Sequence, residues 1–328
     1  MAARCGWGSI GAAAIFVWIG APFAAAQQPA YPTKTLRLIA SQAPGGGIDA
    51  VARIVSSRLS DAVGQTVIVD NRAGANGSLA GELTAKSPPD GYTLMLGAVG
   101  NMGINVYFIK HMTYDPLNDL APVALAVSGG NVLVVHPSVP AKSLQELIAL
   151  ARARPGALAY GSSGVGGAGH LAAALFQSMT QTRLLHVPYK GGGPAIVDLI
   201  AGQVQISFAS MPSATTSIRA GRLRALAVST TRRSPLFPNL PTLSEAGVPS
   251  YEAHSWYGFA VAAKTAPGII ARLNKEIVQI LNRPDATEAV SKQGLEVWTS
   301  TPEAFGAYVK TEYEKWGRII REIGITAN

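Results

Sequence analysis

Four times in this sequence a short apolar run ends in a glycine-rich loop and an amphipathic segment follows. The loops are Ser41-Gln-Ala-Pro-Gly-Gly-Gly-Ile-Asp49, Asn71-Arg-Ala-Gly-Ala-Asn-Gly-Ser78, Gly161-Ser-Ser-Gly-Val-Gly-Gly-Ala-Gly-His170 and Pro188-Tyr-Lys-Gly-Gly-Gly-Pro194. Strand, loop and helix in that order is the repeat of an α/β sheet. Short, fully apolar strands suit a parallel sheet covered on both faces. The hydrophobic share of 48% against 14% charged residues excludes a disordered chain.

The periodicity predicts strands over 36–40, 66–70 and 92–97, with helices over 49–59 and 78–86 between them. Extended runs follow at 123–127 and 132–135. A second unit then alternates a helix to 153, strand 158–160, helix 170–179, strand 184–188, helix 194–201, and strands 204–208 and 223–229. Ser143 and Glu146 form a capping box at the start of the first of these helices. The extended run 250–262 carries the chain back to the first unit. Helices 267–281, 285–293 and 302–323 close the sequence, with a strand at 295–298. Phe305, Tyr308, Val309, Trp316, Ile319, Ile320 and Ile323 make the apolar stripe of the last helix, a core-packing pattern. The reading is α/β, with two doubly wound, Rossmann-like domains joined by hinge strands. Domain 1 takes 27–127 and 254–328, and domain 2 takes 128–253. Ligand sites in such sheets lie beyond the carboxyl ends of the strands.

Residues 1–26 read as a secretory signal peptide. Arg4 is the only charge before Lys34, an apolar run follows, and Ala24-x-Ala26 offers the small residues of a cleavage site. An uncleaved anchor is the alternative, but the run is short for a span and holds Pro22. Cleavage takes Cys5, the only cysteine, with it. The exported protein then has neither a disulfide nor a thiol nucleophile, and no Cys-based metal site.

A glycine loop that opens a helix offers unpaired N–H groups and partial positive charge, so it suits an anion. Hydrogen bonds to a charged group contribute about 1.5–3 kcal/mol each. Three or four of them supply micromolar affinity, about 8 kcal/mol. Tight turning is the plain alternative for one such loop; four in corresponding places favour binding. Gly164-x-Gly166-x-x-Gly169 matches a dinucleotide fingerprint, but the next strand ends in Val187-Pro-Tyr-Lys190 without the ribose-binding acid. No cofactor is expected. Gly-x-Ser-x-Gly, His-Glu-x-x-His and a P-loop are all missing. Neither a catalytic residue nor a metal site is assigned, which argues against an exported enzyme. His170 either caps its own helix or touches a ligand. Asp49 either caps its helix, with Arg53 as its partner, or faces a proton-bearing ligand group. The net charge of +8 is scattered in short pairs such as Arg232/Arg233, so nucleic acid is not a partner.

Ala43-Pro-Gly-Gly-Gly-Ile-Asp49, Val69-Asp-Asn-Arg-Ala-Gly-Ala-Asn-Gly77 and Pro89-Asp-Gly-Tyr-Thr-Leu94 resemble the Bug family. These are TctC-like extracytoplasmic receptors of tripartite tricarboxylate transporters. Gly166-Gly-Ala-Gly-His-Leu171, Val187-Pro-Tyr-Lys-Gly-Gly192, Leu226-Ala-Val-Ser229 and Pro241-Thr-Leu-Ser-Glu-Ala-Gly247 continue the likeness, which spans roughly 31–325. The resemblance implies a type II periplasmic binding protein, a Venus flytrap. It implies a monomeric periplasmic receptor that delivers a small carboxylate to membrane permease subunits. An exported α/β enzyme, or the same fold serving a signalling protein as a ligand sensor, is the alternative. Carried over by position, the ligand residues are Ala43, Gly46, Gly47, Ile48 and Asp49 from the first loop. Ser162, Ser163, Gly166, Gly167 and His170 come from the third, and Ala209 and Ser210 line the cleft. Many members carry Thr at the place of Ile48, and some carry Asp at that of Ala209. Losing both points to an acid without an ammonium group, dicarboxylic or aromatic.

Overall fold

Leu36-Arg-Leu-Ile-Ala40 is buried at every position but Arg37, so both faces of this strand need cover. Helices supply it. The computed structural model describes residues 1–3, 6 and 31–323. The expected signal peptide, with its Ala24-x-Ala26 site, lies outside the described residues but for its first few. In chain order the elements are β1 (Leu36–Ala40), α1 (Gly47–Val63), β2 (Val67–Asn71), α2 (Ser78–Ala85), β3 (Thr93–Ala98) and α3 (Val99–Met102). Next come β4 (Leu120–Val135), α4 (Leu144–Ala153), β5 (Ala159–Ser162), α5 (Ala168–Thr180), β6 (Leu185–Pro188), α6 (Gly192–Ile200), β7 (Ile206–Ser210) and α7 (Met211–Arg219). The chain ends with β8 (Arg224–Val228), β9 (His254–Ala262), α8 (Pro267–Leu281), α9 (Pro284–Ser291), β10 (Glu296–Val297) and α10 (Pro302–Ile323).

The strands join in the order β2-β1-β3-β9-β4-β7-β5-β6, with β8 and β10 both on β4. β1 runs parallel to β2 and β3, and β5 runs parallel to β6 and β7. β4 and β9 cross between the two groups as an antiparallel pair. From Pro32 on the chain forms one compact unit.

Several expectations change here. The runs at 123–127 and 132–135 are one strand, β4. The Ser128-Gly-Gly-Asn131 link stays extended because β9 pairs with it through Gly130 and β7 takes over at Asn131. The glycines are needed there for space: a Cβ on Gly129 would lie 2.5 Å from Leu295, and one on Gly130 2.7 Å from Thr230. The second change is α7, which the sequence reading leaves out. Its Met211-Pro-Ser-Ala-Thr-Thr-Ser stretch has the composition of a loop, yet Thr215 satisfies its hydroxyl on the Met211 carbonyl one turn back, at 2.8 Å. The strand expected at 295–298 shrinks to β10. At α4, Ser143 caps as expected by accepting from the Glu146 N–H at 3.2 Å, but Glu146 reaches back to Lys142 N rather than to Ser143.

One core lies under α10, where Phe305, Val309, Trp316 and Ile320 pack on Met95, Trp256 and Ala260. Burying Phe305 completely stabilises the docking by about 1.5–3 kcal/mol. Glu312 is buried on the same helix because it accepts from both Trp256 Nε1 and Trp316 Nε1, at 3.2 and 3.1 Å. Two further cores cover the faces of the β4-β7-β5 region. One holds Leu147, Phe176 and Phe208, the other Leu199, Val204 and Met211.

Candidate functional site

The loops after β1 and β2 meet the loops after β5 and β6. Ala43 N–H donates to the Lys190 carbonyl at 3.1 Å. A Cβ on Gly193 would lie 2.6 Å from the Pro44 carbonyl, and one on Gly164 3.3 Å from Asn76. Behind these contacts is a cavity of about 40 Å³. Its floor is strand: Asn131 of β4, Ser207 to Ser210 of β7, and Ser255 and Tyr257 of β9. Its walls are helix starts. Gly167, Ala168 and Gly169 open α5, Gly192 opens α6, Ser210 caps α7, and Ala98 caps the short α3.

No Asp, Glu, Lys, Arg or His lines this cavity among the described residues. The polar lining is hydroxyls, amides and main-chain N–H groups. Such a lining can stabilise a buried anion only through directed dipoles. Burying an unpaired charge without them costs far more than the protein's stability allows.

The side chains that shape the cavity are held by their own bonds. Asn76 sits in the left-handed region, φ 50°, and its amide donates to Asn105 Oδ1 at 2.9 Å. Asn105 is fully buried and returns bonds to the Ala75 and Asn76 carbonyls and to Ser78 Oγ. Asn101 accepts from Ala98 N at 2.9 Å and faces Met95 Sδ. The Tyr257 hydroxyl presses against Gly47, with Ser210 and Ser255 as neighbours, and burial raises its pKa above the usual phenol value.

Of the residues singled out from sequence, Ser163, Gly167, Ala209 and Ser210 line the cavity. The rest stand behind or beside it. Ala43 spends its N–H on Lys190. Gly46 lies against Gly192 N, Gly47 against Tyr257, and Ile48 is fully buried in the core. Asp49 is three residues past the Gly46 cap and turns back on its own loop. It accepts from Gly45 N at 3.1 Å, Asn71 Nδ2 at 3.0 Å and Arg53. Burial alone would raise its pKa, but the bonds from Arg53, Gly45 and Asn71 outweigh that and hold it below the usual carboxylate value. Ser162 Oγ binds His186 Nε2 at 2.7 Å and accepts from Gly164 N. Gly166 N–H donates to His170 Nδ1 at 3.0 Å. His170 and His186 stack at 4.1 Å, and Tyr160 stacks on His186 at 4.7 Å.

Among the lining residues that sequence reasoning does not single out are Asn101, Asn131, Ser255 and Tyr257. One signal was present: each is a polar group within or just after an apolar strand run.

This architecture matches known proteins over most of its length. The family described as tripartite tricarboxylate transporter family receptor matches residues 51–325. The chain belongs to this receptor family. The receptor is 37% identical to protein BugT of Bordetella pertussis over 295 residues, which cover 90% of each chain. It superposes on R. palustris Rpa4515 with adipate at TM-score 0.89 and 36% identity, covering 91% of this chain and all of that one. It superposes on MatC of Rhodopseudomonas palustris with bound malate at TM-score 0.84 and 28% identity, covering 88% and 100%. The family and these neighbours are solute-binding receptors, so the chain is a receptor and not an enzyme. Among the described residues no helix is long and apolar enough to cross a membrane.

Proposed function

We propose that this receptor captures a small carboxylate lacking an ammonium group in the cavity between its glycine loops. The observation that carries the reading is the lining itself, polar on floor and walls but without a charged side chain. The N–H groups at the starts of α5 and α6 hold the carboxylate, each bond contributing about 1.5–3 kcal/mol. An ammonium group finds no acid in that lining and loses its hydration without return. The adipate and malate named for Rpa4515 and MatC are acids of this kind.

The receptor works in the periplasm as a monomer, after removal of residues 1–26, and hands its acid to the permease subunits of a tripartite transporter. Residues 27–127 with 254–328 form one lobe and 128–253 the other. The lobes part about β4 and β9, where β4 exchanges β9 for β7 and β8 as partners. Parting them breaks the Ala43–Lys190 bond and opens the cavity.

A thermal-shift panel of mono-, di- and tricarboxylates, amino acids and neutral sugars tests this. An acid at 100 times its Kd adds about 2.7 kcal/mol to stability. Carboxylates without an ammonium group are expected to raise Tm. A rise with sugars or amino acids alone refutes the reading.

A further inference from the structure

Asn131 is 2% exposed and lines the cavity from the middle of β4. Among the described residues, its Nδ2 is the one buried side-chain nitrogen or oxygen without a hydrogen-bond partner. An orphaned buried donor costs about 1–3 kcal/mol. An apolar side chain there would avoid that cost. The other amides at the cavity differ: Asn76 donates to Asn105, and Asn101 donates to Met95 Sδ.

The main chain leaves Asn131 little freedom to find a partner elsewhere. Its N–H donates to Ser229 Oγ at 2.8 Å, and its carbonyl accepts from Ser229 N at 2.8 Å. Ser229 Oγ donates in turn to the Ala253 carbonyl at 2.6 Å. Asn131 thus holds its place at the floor, on a different element from the helix starts at the walls.

We infer that Asn131 is a specificity-determining residue, whose amide donates to a second oxygen of the bound acid and so selects diacids over monoacids of equal length. The inference rests on the carboxylate reading of the cavity. A monoacid of the same length meets the helix starts equally well but presents a methyl group to the orphaned donor. A diacid presents an acceptor. Sites that hydrogen-bond a polar group reject the analogue lacking it, because their own buried group stays unpaired.

Calorimetric titration of the receptor with matched pairs tests this: succinate and butyrate, adipate and hexanoate, terephthalate and 4-methylbenzoate. The wild type should bind the diacid of at least one pair at least tenfold tighter. Asn131→Ser and Asn131→Ala should each lose tenfold or more for that diacid and stay within threefold for its monoacid. Without acid, Asn131→Ala should melt no lower than the wild type, since it removes an unpaired donor. Equal losses for both acids, no loss for either, or a wild-type preference for the monoacid overturns the assignment. So does a fall in ligand-free Tm in both variants, which would make Asn131 a structural residue. If the wild type binds neither acid of any pair, the carboxylate reading itself fails, and this inference with it.

Discussion

His170 does not line the cavity, yet it holds the wall that does. Its Nδ1 takes the Gly166 N–H, which fixes the loop before α5 and requires an unprotonated nitrogen there. Burial pushes His170 down to about 4, and burial with the neighbouring His170 pushes His186 down to about 3. In the unfolded chain both return to about 6.5. Between those values the unfolded state holds more protons, so stability rises with pH. The contribution is complete above about pH 6.5 and is lost as pH falls toward 4. For His170 the slope in that window is at most about 1.4 kcal/mol per pH unit. The Tm of the wild type is expected to fall more between pH 7.5 and 5 than that of the double variant His170→Phe/His186→Phe. Parallel falls would show that the stacked pair has no such role.

Which residues do this work was partly legible. The glycines that open α5 and α6 stand out in the sequence because strand, glycines and helix recur in order. Asn131, Asn101 and Tyr257 do not stand out, because a single polar group in an apolar run marks a cavity only once the sheet brings several such groups together. Asp49 shows the converse. Its type and place suggest a ligand contact or a cap, whereas its bonds to Gly45, Asn71 and Arg53 tie the first loop to itself.

At the scale of elements, long amphipathic helices and apolar strands fall where periodicity puts them; β1, α8 and α10 have the expected limits. Misreadings arise where tertiary contact decides. β4 continues through two glycines because neighbouring strands complete its bonds, and α7 forms in a Ser/Thr-rich stretch because its buried side offers Met211 and Ala214. The docking of α10 on β9 gives a test. A Cβ on Gly258 would overlap the Phe305 ring. Overpacking of this kind costs about 1–3 kcal/mol. Gly258→Ala is expected to lower stability by that amount in urea titration, and Phe305→Ala by about 3–5 kcal/mol. An unchanged midpoint for both would mean that α10 is not held by this contact.

At the scale of the whole molecule, the proposed lobes meet through side chains, such as Phe108 against His170, and at the glycine loops through main chain. Gly193 at the start of α6 faces the Pro44 carbonyl, and the main chain at Ala43 faces that at Lys190. The Pro44 carbonyl occupies the space that a Cβ on Gly193 would need, so this approach requires glycine there. Gly193→Ala is therefore expected to hold the loops apart. It should weaken a stabilising carboxylate at least tenfold while leaving the ligand-free Tm within about 2 °C, because Gly193 lies in the first turn of α6 and outside the apolar cores. Undiminished affinity would show that the loops need not meet for binding.

The central claim is that a charge-free cavity holds an anion by the N–H groups of helix starts. The most direct measurement is a crystal structure of the receptor with the carboxylate that most raises its Tm. Carboxylate oxygens are expected about 2.7–3.2 Å from main-chain nitrogens at the starts of α5 and α6, with no Arg, Lys or His side chain in contact. A carboxylate paired with a cationic side chain, or bound outside this cavity, would contradict it.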